Sequence, residues 1–187
     1  MTRRTGLVGC TPLVIVAILC GSEARARAGP VGIHESLGLS VVKVTSLDRS
    51  YYASTWHADI GMGFDASRWV NVGIGFSYDQ TGLTIRRPGG EKNETFRAAD
   101  PAVRARLYPS LRSPAFVEAE LGGRFLWLPD TKQTVAGFLG ATTIGFERGW
   151  ARRGTFGALV RMAYVPSLTA GGTSFSITFA LRVGVWP

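Results

Sequence analysis

The sequence predicts an all-β protein, an eight-stranded antiparallel up-and-down transmembrane β-barrel, and three observations carry that prediction. In Val70-Asn71-Val72-Gly73-Ile74-Gly75-Phe76-Ser77-Tyr78, every second residue is large and apolar, and Asn, Gly, Gly and Ser stand between. Phe175, Ile177, Phe179, Leu181, Val183 and Val185 alternate in the same way with Ser176, Thr178, Ala180, Arg182 and Gly184. A side-chain period of two marks strands with unlike faces. The second observation is the character of the polar face. It is small rather than rich in Lys and Glu, as if it lined a crowded interior while the apolar face met hydrocarbon. The third is that about eight such segments recur, separated by turn chemistry.

The start of the chain reads as a separate element. Arg3 and Arg4 precede an apolar run from Leu7 to Cys20, and small residues alternate with arginine up to Ala28. A charged start, a short apolar middle and a small-residue exit predict a secretory signal peptide over 1–28, cleaved after Ala28. The run holds Gly9, Thr11 and Pro12 and is shorter than the roughly 20 residues of a membrane helix. Leu19 before Cys20 argues against lipid attachment. Residues 29–187 then form one domain without cysteine, since Cys10 and Cys20 both lie in the leader. A closed, fully hydrogen-bonded barrel can supply the stability that disulfides give many exported proteins.

Charge narrows the partners. The chain has 21 Lys+Arg and 13 Asp+Glu; removing residues 1–28 takes Arg3, Arg4, Arg25, Arg27 and Glu23 and leaves 17 against 12. Only Lys43, Lys92 and Lys132 are lysines. With export, this argues against nucleic acid as a partner.

Each strand is justified by its alternation. The first, Ile33–Val44, places Leu37, Leu39 and Val41 on one face. The second, Tyr52–Phe64, sets Ala58, Ile60, Met62 and Phe64 against His57, Asp59, Gly61 and Gly63. A turn at Asp65–Arg68 leads to the third, Trp69–Tyr78. The polar stretch Asp79–Arg97, with Pro88-Gly89-Gly90, reads as a long loop. The fourth strand, Ala98–Tyr108, sets Val103, Ala105 and Leu107 against Arg104 and Arg106. After Pro109–Pro114 comes the fifth, Ala115–Leu128, with Glu118, Glu120, Gly122 and Arg124 opposite its apolar side. The sixth, Val135–Glu147, turns Phe138, Ile144 and Phe146 outward, and the seventh, Thr155–Val165, turns out Phe156, Ala158, Val160, Met162 and Tyr164. The eighth is Phe175–Trp186.

With both termini in the periplasm, the longest connection, Asp79–Arg97, falls on the extracellular side, as outer-membrane barrels require. Alternation also predicts two aromatic belts at the membrane–water interfaces. Trp69, Tyr108, Phe116, Trp150 and Trp186 lie at the periplasmic ends, and Tyr52, Trp56, Tyr78, Phe96, Trp127 and Tyr164 at the extracellular ends.

Strand number, loop asymmetry, aromatic belts and the amphipathic last strand give residues 29–187 a pattern that resembles the small eight-stranded outer-membrane barrels of the outer membrane protein A and X type. The resemblance implies an outer-membrane location in a Gram-negative envelope, a monomer in contact with outer-membrane lipids, and insertion by the barrel-assembly machinery. Barrels of this type commonly end in an aromatic residue, whereas this chain ends Val185-Trp186-Pro187. Larger relatives carry a peptidoglycan-binding domain, and the sequence predicts none after the eighth strand.

Candidate chemistry lies on the inward face. A turn centred near residue 112 sets Arg106 opposite Glu118 and Arg104 opposite Glu120. With Arg124, Arg161, Arg182, His57 and Asp59, these form a predicted interior charge network. It either plugs the barrel, which is just wide enough for side chains to fill, or lines a narrow anion-favouring water path. His57 and Asp59, with Ser54 nearby, raise the possibility of a lipid hydrolase, but a His and an Asp two apart on one strand are neighbours by geometry and no serine is marked by a motif. His34-Glu35-Ser36 is equally unmarked. Two His and no Cys after residue 28 offer little to a metal, and no cofactor is expected. Gly61–Gly63 and Gly73–Gly75 lie inside strands and relieve crowding rather than hold phosphate. The residues thus favour a non-enzymatic envelope or surface protein. A lipid-modifying enzyme and a soluble lipocalin-like barrel with its apolar face inward are the alternatives.

Overall fold

The computed structural model describes residues 31–45, 50–87, 90–109, 114–128, 133–149 and 154–185. The predicted leader and its cleavage site lie outside them, as do Trp150 and Trp186. Eight strands follow one another: β1 (Val31–Thr45), β2 (Ser50–Asp65), β3 (Val70–Arg87), β4 (Gly90–Leu107), β5 (Ala115–Trp127), β6 (Thr134–Gly149), β7 (Gly154–Val165) and β8 (Thr173–Val185). Each pairs antiparallel with the next, and β8 returns to β1, so the sheet closes without an edge along its wall.

Alternation decides which face is which. Phe76 is 45% exposed and its neighbour Ser77 0%. Leu37, Leu39, Ile60, Ile74, Leu121, Phe179 and Leu181 also stand on the outer surface. This excludes the lipocalin-like arrangement, in which the apolar face fills the interior. Apolar outside and polar inside is stable only where the outer medium is hydrocarbon.

One predicted loop is a pair of strands. Asp79–Arg97 does not leave the sheet: β3 runs on to Arg87, β4 begins at Gly90, and the two stay in register from Val70↔Leu107 to Arg87↔Gly90. The physical reason is that Thr81, Thr84, Ile85 and Thr95 favour extended backbone, while polar side chains are no obstacle to strands outside a membrane. Pairing of β3 with β2 stops at Trp56↔Gln80, and that of β4 with β5 stops at Arg97↔Trp127. Residues 81–96 therefore continue as a two-stranded ribbon. Its end of the barrel is called the hairpin end below; the end at Val31 and Val185 is the terminal end. The predicted asymmetry thus lies in overhanging strands, not in loop length. Pro101 stays within β4: the ladder to β3 runs through it, while the ladder to β5 skips Asp100 and Pro101, where the proline has no N–H to donate.

The β7–β8 connection closes the hairpin end. Thr169 donates its N–H to the Ala136 carbonyl at 2.7 Å and accepts from the Ala136 N–H through Oγ1 at 3.1 Å. Gly171 and Gly172 have φ of 77° and 98°, where a side chain would be strained. The resulting bend drops Leu168 into the lumen, where it is buried.

Candidate functional site

The interior is built in three layers, each set by inward residues of several strands. At the hairpin end, Val42, Val44, Phe96, Leu126, Leu139, Val165 and Leu168 belong to one buried apolar cluster. At the terminal end Tyr108 and Phe116 pack with Leu159 and Ala180, the two rings 6.2 Å apart and tilted by 59°. Charged groups occupy the space between, and Arg182 and Glu147 lie beyond Ala180 and Leu159 toward the terminal end.

The charged layer is a chain of alternating sign. Arg124 grips Asp100 with two bonds, Nε to Oδ1 at 2.8 Å and Nη2 to Oδ2 at 2.6 Å, and also donates to Ser174 and Ser176. Arg161 links Asp100, at 3.2 Å, to Glu120, which it holds through Nε at 2.9 Å and Nη2 at 3.1 Å. Arg104 lies 3.5 Å from Glu120, forks onto both oxygens of Asp59, and donates to His34 Nε2 at 3.2 Å. Ser77 and Ser36 complete the shell of Asp59. Arg106 donates to Glu118 and Glu147, both at 2.7 Å, and to the Tyr108 hydroxyl at 3.2 Å. Arg182 lies 3.6 Å from Glu118 and Glu147 and 3.9 Å from Asp59. The guanidinium groups of Arg106 and Arg182 sit over Phe116, at 4.6 and 5.4 Å from its centroid. Two-pronged arginine–carboxylate contacts of this kind let charges survive out of water.

All nine residues of the expected network point inward and are buried. Register places Arg106 opposite Glu118 and Arg104 opposite Glu120. Packing across the lumen then redistributes the partners: Arg104 binds Asp59 more closely than Glu120, and Glu120 is held by Arg161 and Thr143. His57 and Asp59 share a face but not a function. His57 Nδ1 meets Asp79 Oδ1 at 2.9 Å, while Asp59 belongs to Arg104. Ser54, of opposite parity, is exposed on the outer wall, so no Ser–His–Asp arrangement forms there. Asp79, Asp100, Glu147 and His34 join the predicted members. Parity on β1, β4 and β6 points three of them inward, and Asp79 lies in the stretch that reads as a loop.

The belts need one correction as well. Trp56 (74% exposed), Trp127 and Tyr164 stand outward at the hairpin end, and Trp69 and Tyr78 are half-buried. Tyr108 is not in a belt. It has the even parity of Arg104 and Arg106, so it turns inward, as do Phe116 and Phe96.

Two consequences follow for chemistry. The buried charges are Arg104, Arg106, Arg124, Arg161 and Arg182 against Asp59, Asp79, Asp100, Glu118, Glu120 and Glu147 among the described residues, so the interior has no positive excess to favour anions. Space is also tight: a Cβ on Gly75 would overlap the Arg104 guanidinium, and one on Gly61 the His34 ring.

Closed antiparallel wall, apolar exterior and packed polar interior define the fold of the small eight-stranded outer-membrane β-barrels. The solved structures similar to it are of that class. Neisserial surface protein A, from Neisseria, matches with a TM-score of 0.61 at 12% identity, over 84% of this chain and 97% of the other. Ail, the attachment invasion locus protein of Yersinia pestis, matches in complex with the heparin analogue sucrose octasulfate, with a TM-score of 0.56 at 10% identity, over 83% and 98% of the two chains. No protein-family model and no curated protein matches the sequence. At these identities the likeness is one of fold.

Proposed function

We propose that this protein is a non-enzymatic surface protein of a Gram-negative outer membrane, acting through its hairpin end rather than through its lumen. In this reading residues 1–28 are a cleaved signal peptide, the barrel-assembly machinery inserts the chain, and residues 29–187 span the membrane as a monomer among outer-membrane lipids. The terminal end faces the periplasm and the hairpin end the outside.

The observation that carries the proposal is the filled lumen. Among the described residues, apolar side chains crowd its hairpin end, and buried arginines and carboxylates pair with one another through the rest of it, which argues against a wide water path. What extends beyond the neighbouring strands is the ribbon of residues 82–95. Binding residues concentrate on segments that a rigid scaffold holds out into water.

Cell fractionation combined with labelling tests this. A cysteine replacing Thr84 should react with a membrane-impermeant maleimide on intact cells, the protein should sediment with the outer membrane, and planar bilayers containing it should show no stable single-channel current. Recovery in the soluble periplasm, or a steady anion-selective conductance, would refute the proposal.

A further inference from the structure

The apolar outer wall carries a carboxylate that the barrel itself does not use. Glu35 faces outward on β1 and is exposed, while Ser36 beside it is buried in the lumen. Its neighbours on the wall are Ile33 and Leu37 along β1, Ile60 on β2 and Val183 on β8, all exposed and apolar. Ile33 and Val31 lie between it and the terminal end. Glu35 is therefore inside the apolar band, about two lipid-facing side chains from its periplasmic margin. A carboxylate facing hydrocarbon is costly unless it meets a donor, which makes it a mark of function. No hydrogen bond or ion pair within the described residues reaches it.

A groove adjoins it. Over the small side chain of Ala58 the wall is recessed by about 290 Å³, bounded by Glu35, Leu37, Ile60, Phe76 and Tyr78. The groove extends from Glu35 toward the hairpin end, because Ala58 pairs with Leu37 and Tyr78. It is an open, mostly apolar recess, with one negative charge at the end nearer the periplasm. That polarity matches a phospholipid of the periplasmic leaflet, headgroup low and acyl chain rising toward the bilayer centre.

We propose that Glu35 and the Ala58 groove form a binding site for an aminophospholipid, the primary ammonium pairing with the Glu35 carboxylate and one acyl chain lying in the groove. A primary ammonium supplies both charge and N–H donors, the combination that gives short charge-assisted bonds. A second copy of the chain fits less well. The outward-facing bases among the described residues stand at the barrel's ends, Lys43 and Arg97 at one and Arg68 and Arg148 at the other. A copy in the same orientation presents apolar side chains at the level of Glu35.

The site rests on the membrane reading above, which is checked first by the shift in gel migration on boiling, before any lipid is weighed. The full chain is then placed in nanodiscs of equal phosphatidylethanolamine and phosphatidylglycerol, and in others with phosphatidylcholine replacing phosphatidylethanolamine. Lipids retained on release are counted by native mass spectrometry. The wild type should retain phosphatidylethanolamine over either competitor by about fivefold or more, a margin within the range of one charge-assisted bond. Glu35→Gln should abolish the preference, and Ala58→Trp, which fills the groove, should reduce retention of every lipid, both with unchanged gel shift. Equal retention of the three lipids by the wild type overturns the site, as does a preference that survives Glu35→Gln. A stoichiometric protein partner, lost on Glu35→Gln in native membranes without any lipid preference, would assign Glu35 to a protein contact and also overturn it.

Discussion

Replacing Arg106 by methionine should destabilise the barrel by about 3–5 kcal/mol, the cost of breaking a buried ion pair from one side. Arg106 is only 2% exposed and is the residue through which β4, β5 and β6 share charge. Methionine follows much of the same path through the layer, so the loss is mainly electrostatic and not a cavity. Two hydrogen bonds to charged partners disappear, those to Glu118 and Glu147, each worth about 1.5–3 kcal/mol. Arg182, 3.6 Å from both carboxylates, remains close to them, and its approach recovers part of the loss. The stranded carboxylates, rather than the missing arginine, then dominate the cost. Removing them in Arg106→Met/Glu118→Gln/Glu147→Gln should restore about half of the lost stability or more. Urea unfolding in phospholipid vesicles, followed by tryptophan fluorescence and by gel migration without boiling, gives both values. A single variant within about 1 kcal/mol of wild type, or a triple variant that is the sum of three independent losses, would refute the argument.

Other expectations follow from the same geometry. Ile74→Arg or Leu121→Arg puts a guanidinium on the apolar outer face and should cost roughly 2–4 kcal/mol or block assembly; unchanged vesicle stability would show the face assignment to be wrong. Gly75→Ala, whose Cβ meets the Arg104 guanidinium, should cost about 1–3 kcal/mol as an overpacked interior, whereas Gly140→Ala, which meets nothing within 4 Å, should leave the unfolding midpoint in place. Cysteines at Ala105 and Ala119, opposed on β4 and β5 and outside the charge network, should form a disulfide on oxidation. Efficient bonding of 105 with 118 instead would break the register on which the interior depends.

What could be read directly from the residues was whatever a period of two encodes. The inward or outward sense of Phe76 against Ser77, the number of strands and the opposition of Arg106 to Glu118 all follow from parity and a turn, because adjacent side chains on a strand must point to opposite faces. Residue type misleads where it competes with parity. An aromatic at a strand end suggests a belt for Tyr108, although its even number puts it with Arg106, and the polar side chains of Asp79–Arg97 suggest a loop where two strands run. Closure of the sheet decided the rest. Alternation says that Arg104, Asp59 and Glu120 share an interior, but not that Arg104 turns away from Glu120 and reaches over β3 to Asp59 on β2, since that reach is set by barrel diameter and by the room that Gly61 and Gly75 leave. Leu168 enters the lumen for a similar reason: the bend at Gly171 and Gly172 and the bonds to Ala136 carry it inside, and neither can be seen in a local pattern. Periodicity fixes direction along one strand, whereas partners and packing depend on how eight strands meet around a common axis.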